Sequence, residues 1–144
     1  MKVTLEPTAS RETEVIIRGD VAGEEVRALL QFLGRKNNGK LLLYREEEQY
    51  IIDPGELVFL EVRDGRVYAF TKQDTYEARL KLYEVKELLS TCAFAQISKS
   101  VIVNIDFVKS IQAEFSGNYR IKLKGRKEVL TVSRKYFKEF KDKI

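Results

Sequence analysis

A chain of 144 residues, 44% hydrophobic, 10% aromatic and 33% charged, can bury one respectable core or a core with a short appended element, which excludes two large domains and a disordered or fibrous class. It has no histidine and a single cysteine, Cys92, which excludes Ser–His and Cys–His nucleophiles, the usual zinc and iron sites and an intramolecular disulfide, and leaves carboxylate chemistry as the main enzymatic route. The net charge of +4 is unevenly spread: residues 1–95 carry 14 Lys and Arg against 17 Asp and Glu, and residues 96–144 carry 12 against 5. A basic second half points to an anionic partner, nucleic acid first and a membrane surface second. No apolar run approaches the ~20 residues of a membrane span, and the start Met1-Lys2-Val3-Thr4-Leu5-Glu6 has no secretory pattern, so a cytoplasmic location is expected.

In chain order, residues 2–5 and 13–18 read as short strands. Asp20 is a candidate cap for a helix in which Val26, Leu29, Leu30 and Leu33 recur at helical spacing, ended by Gly34 and the turn Lys36-Asn37-Asn38-Gly39. From Lys40 the period becomes that of strands. Lys40–Arg45 and Gln49–Asp53 flank an acidic turn, Glu46-Glu47-Glu48, and Pro54-Gly55 precedes the apolar run Leu57–Val62. Asp64-Gly65 is a two-residue hairpin signal because both positions tolerate positive φ, and it leads into Val67–Thr71; a turn at Lys72–Asp74 returns the chain through Tyr76–Leu80. A helix is predicted over about 82–91, with Leu82, Val85, Leu88 and Leu89 on one face. Beyond Phe94 and the polar Ser98-Lys99-Ser100 come the strand Val101-Ile102-Val103, a hairpin pairing Phe107–Phe115 with Tyr119–Lys124 across Ser116-Gly117-Asn118, and a strand at Glu128–Val132. Ser133 is placed to cap a terminal helix, Arg134–Lys143, with Tyr136, Phe137 and Phe140 inward.

Several ordered segments between residues 57 and 144 carry a family resemblance. They are Val58-Phe59-Leu60-Glu61, the helix Leu82 through Leu89, the run Phe94-Ala95-Gln96-Ile97-Ser98-Lys99-Ser100-Val101-Ile102-Val103-Asn104, and Thr131-Val132-Ser133-Arg134. This stretch resembles the LytTR DNA-binding domain family. The resemblance implies a bacterial-type, stand-alone transcriptional regulator without a receiver domain, whose loops rather than a recognition helix enter successive major grooves at direct-repeat sites. It implies contacts from three loops, Arg63–Val67, Ser98–Ser100 and Ser133–Lys135, and thus a site of Arg63, Arg66, Ser98, Lys99, Ser100, Ser133, Arg134 and Lys135. Arg66 or its neighbours stand where some members have a histidine, Lys99 where others have basic or amide residues, and Arg134 matches the family's arginine.

Chemistry supports those roles. Arginine offers paired donors to guanine O6 and N7, lysine a point charge, and serine hydroxyls a bond to phosphate that positions without reading sequence. The amino end of the last helix adds backbone N–H groups facing an anion. Other basic residues have a plainer reading: Lys122, Lys124, Arg126 and Lys127 form a solvated strand face and turn. Asn104 is expected to bond backbone at the following turn, Cys92 to be a small buried hydrophobe, and nothing sets Asp53, Glu56 or Glu61 as a catalytic pair. The expected fold is mostly β with few helices: antiparallel sheets with an intervening helix in residues 56–144, preceded by a small α/β extension in residues 1–55. The expected partner is double-stranded DNA, with a homodimer and a regulatory membrane protein as further associations. No enzymatic activity, cofactor, metal or small-molecule substrate is expected. The alternative is a basic interaction module for an acidic protein or a membrane surface.

Overall fold

The computed structural model describes residues 1–9, 13–37, 40–90 and 92–144. The chain divides into two compact units, Met1–Gly34 and Arg35–Ile144. In the first, the strands expected at 2–5 and 13–18 do not form; Val3, Leu5, Val15 and Ile16 are exposed. With these apolar side chains exposed, the two brief segments lack the buried area that stabilises a sheet. Helix α1 (Glu24–Asn37) starts later than expected. Asp20 instead closes the preceding turn, accepting from the Gly23 amide at its carbonyl (3.1 Å) and from the Ala22 amide at its carboxylate (3.2 Å). Gly34 does not end the helix, since a mid-helix glycine costs only about 1 kcal/mol against alanine. Of the expected apolar face, Val26 and Leu29 are half-buried and Leu30 is exposed; the Leu33 side chain and the Asn38-Gly39 turn lie outside the described residues.

The second unit is mostly β. A seven-stranded antiparallel sheet has the order β2-β1-β5-β4-β3-β7-β6, built from β1 (Leu41–Arg45), β2 (Glu48–Ile52), β3 (Leu57–Arg63), β4 (Arg66–Thr71), β5 (Thr75–Ala78), β6 (Phe94–Gln96) and β7 (Val101–Asn104). A three-stranded sheet, β10-β9-β8, follows from β8 (Val108–Ala113), β9 (Tyr119–Leu123) and β10 (Val129–Val132). Asp64 and Gly65 both adopt positive φ (50° and 76°), the geometry a two-residue hairpin needs to match strand twist. The β1–β2 hairpin joins the large sheet through Tyr44 opposite Glu77, within the second compact unit. Pro54-Gly55 makes only a short turn within that unit: Asp53 accepts from the Gly55 amide (3.0 Å) and Glu56 reaches back to the Asp53 amide (3.4 Å).

Both faces of the large sheet are covered. On one, Leu43, Leu57, Leu60, Ala69 and Ile102 pack with Val85 and Leu89 of α2 (Leu82–Leu88) and the residue after it. On the other, Val58, Phe59, Phe70, Ala95 and Val103 pack against Ile121, Leu123 and Val132 of the small sheet and Phe140 of α3 (Phe137–Asp142). A register shift between Leu57 and Phe59 makes Val58 the extra residue, which lets Val58 and Phe59 enter the same core. Burial on both faces explains why β3 reads as a continuous apolar run rather than an alternating one. The helix predicted over 82–91 ends at Leu88; Thr91 lies outside the described residues. Cys92 is half-buried at the edge of the first core.

Candidate nucleic-acid interface

Backbone hydrogen bonds bring the three predicted loops to one end of the two sheets. β3 and β7 are antiparallel with Glu61 opposite Val101, so the Asp64-Gly65 turn lies beside the 98–100 loop, and the Val62 amide donates to the Ser100 carbonyl at 2.8 Å. The Ser133 amide donates to the Ile97 carbonyl at 2.9 Å, tying the end of β10 to the same loop. In the small sheet Tyr119 pairs with Val132, which sets the Ser116–Asn118 turn next to Ser133 and Arg134. There the Arg134 amide donates to the Asn118 side-chain oxygen at 3.0 Å. Strands from distant parts of the sequence thus hold four loops through three backbone amides, two donating to backbone carbonyls and one to the Asn118 carboxamide.

The predicted side chains differ in how free they are. Arg63 is engaged: its guanidinium meets Glu61 at 2.7 Å and lies 5.2 Å from the Phe70 ring centre. Arg66, opposite Arg63 in the hairpin, and Lys99 are exposed and make no ion pair among the described residues. The Lys135 ammonium lies 6.0 Å from the Tyr136 ring centre. The Ser98 hydroxyl accepts from the Ser100 amide at 3.2 Å and lies 3.5 Å from the Ser100 hydroxyl, contacts that shape the loop. Ser133 makes no side-chain cap, contrary to expectation. The physical reason is local: Arg134–Tyr136 is a tight 3-10 turn closed by the Tyr136 amide on the Ser133 carbonyl (2.8 Å), and α3 begins only at Phe137. Arg134 is exposed, and its side chain runs over Gly117, where an added Cβ would come within 3.1 Å of the Arg134 Cδ.

Two residues outside the predicted site are structural. Asn104 is buried, donates to the Leu57 carbonyl (2.8 Å) and accepts from the Asp106 amide (3.0 Å), the backbone-bonding role expected of it. Lys122, Lys124 and Lys127 are exposed, but Arg126 departs from that group. Its side chain, 15% exposed, grips Glu128 through Nε (2.6 Å) and Nη2 (2.9 Å) and donates through Nη1 to the Thr71 carbonyl (2.6 Å). This arginine joins the small sheet to the large one and holds the Glu128 carboxyl below its ordinary pKa, chiefly by hydrogen bonding. Asp53 and Glu56 are spent on the turn they cap and Glu61 on Arg63. The sequence placed Gly117 and Asn118 in a hairpin turn but not beside Arg134, because a turn signal says nothing of what lies across it.

Residues 47–144 match the family model for the LytTr DNA-binding domain. An uncharacterized HTH-type transcriptional regulator of Staphylococcus aureus is 27% identical over 146 residues, covering 100% of this chain and 98% of its own length. The sensory transduction protein LytT of Bacillus anthracis is 27% identical over 131 residues; the match takes in 91% of this chain but only 50% of that protein. The chain therefore spans half the length of that LytT relative. A solved LytTr DNA-binding domain from a Bacillus cereus response regulator superposes with a TM-score of 0.67 at 21% identity, over 72% of this chain and 94% of that one. Among the described residues α1, α2 and α3 are each separated by strands, so no helix-turn-helix pairs them. No helix among these residues is long and apolar enough to cross a membrane.

Proposed function

The chain belongs to the LytTr DNA-binding domain family, and from that premise we propose that it is a transcriptional regulator that binds double-stranded DNA sequence-specifically, its loops entering successive major grooves at direct-repeat sites. One observation carries this reading: the bonds Val62–Ser100, Ser133–Ile97 and Arg134–Asn118 fix a row of loops on which Arg66, Lys99 and Arg134 are exposed. In this reading Arg134 and Arg66 read base edges, Lys99 and Lys135 supply charge to phosphate, and Ser98, Ser100 and Ser133 position the backbone. Arg63, engaged by Glu61, contributes field more than readout. Residues 1–55 supply a homodimer or regulatory-partner surface, a role supported by exposed Val21 and Leu30 at 67% and 56%.

Selection from a random duplex pool tests this, followed by titration of the winner against a scrambled duplex at fixed salt. Enrichment of a repeated motif, with Arg134→Ala losing ~1–3 kcal/mol of discrimination, is the expected result. Equal affinity of the wild type for winner and scramble would sink sequence-specific binding and leave a basic interaction module.

A further inference from the structure

The loop row has a fourth member that the family resemblance did not supply. The β8–β9 turn closes on itself: the Glu114 amide donates to the Asn118 carbonyl (2.9 Å) and the Gly117 amide to the Glu114 carbonyl (3.1 Å). Stacking of Tyr119 on Phe137, with ring centres 3.6 Å apart, braces the start of β9 against α3. On this braced tip Phe115 is fully exposed, and it belongs to neither hydrophobic core. A single exposed apolar residue is ordinary on a protein surface. This one is distinguished by its place, on a closed turn whose next residues touch Arg134. Gly117 holds φ at +88° and leaves open the space over which the Arg134 side chain runs, while the Asn118 carboxamide oxygen fixes the Arg134 amide.

We propose that the Phe115–Asn118 tip is a fourth DNA-contacting loop, in which Gly117 and Asn118 position Arg134 for base reading and Phe115 packs on a thymine methyl group in the same major groove. The inference rests on the function proposed above. A surface brought to a duplex by Arg134 meets phosphates, polar base edges and one apolar feature, the thymine C5-methyl, which an aromatic ring suits. Because the turn is already closed, the ring loses little chain entropy on contact.

Deoxyuridine scanning of the selected duplex, one thymine at a time, tests the ring. For the wild type at least one replacement should weaken binding about three- to five-fold, the scale of one buried methyl. Phe115→Ala should lose the same factor on the thymine duplex, be indifferent to that replacement, and melt like the wild type because its ring packs on nothing. A variant that binds the selected duplex as well as the wild type, or a scan in which no thymine responds, would overturn the contact. For the seat, Asn118→Ala should relax preference at the same base pair as Arg134→Ala, with the double variant no worse than Arg134→Ala alone and affinity for scramble unchanged. Relaxation at a different base pair, or additive losses, would overturn the positioning role. A wild type that does not discriminate winner from scramble fails the underlying reading itself, and is seen before any variant is made.

Discussion

β10 has an arginine beyond each end, and the two are held in opposite ways. Arg126, ahead of the strand, has its guanidinium engaged by Glu128 on one edge and the Thr71 carbonyl on another, with the Phe70 ring 5.2 Å from its centre. Arg134, after the strand, is exposed, with its backbone fixed by Asn118 and its side chain resting on a glycine. Both add the same unit to the net charge, and only one has its charge available. A basic half therefore says where an anion would be attracted in general, whereas the pairing of each cation says which side chain can meet it.

The largest expected effect separates the two ends outright. Arg126→Ala should lower unfolding stability by ~1–3 kcal/mol in urea titration, because it removes a partly exposed ion pair and leaves the Thr71 carbonyl without its donor. Arg134→Ala should leave stability within ~0.5 kcal/mol and change DNA discrimination instead. Similar losses of stability from both would erase the contrast. A third substitution sharpens it: Lys99→Ala should reduce the slope of log affinity against log salt by about 1, the signature of one lost phosphate contact, while Lys122→Ala, on the solvated strand face, should leave the slope unchanged.

The smallest effect is in acid. Glu128 has a folded-state pKa below its unfolded one, so its contribution is present above the ordinary glutamate range and is lost as pH falls through the lowered folded value. Stability measured against pH should show this acid step in the wild type and a weaker one in Arg126→Met. Glu128 is 39% exposed, so solvent screening keeps the step small. An unaltered acid profile in the variant would mean that Arg126 does not set the Glu128 titration.

Much of the fold was legible residue by residue. Alternating and short apolar runs marked the strands of the second unit other than β6, Asp64-Gly65 marked a hairpin, and Phe140 was rightly placed inward. These features depend on neighbours within a few residues, so the sequence by itself determined them. The same reasoning erred where a local signal met no tertiary partner or the wrong one: the unformed strands at 2–5 and 13–18, Asp20 spent on a turn, Ser133 without a cap. Tertiary structure alone decided which cations are free, where the compact unit begins and which loops lie together. The bonds responsible join Arg126 to Thr71, Asn104 to Leu57 and Arg134 to Asn118, pairs 55, 47 and 16 residues apart. No periodicity in a short window encodes a partner at that distance, because strand pairing and the shared core bring those groups together.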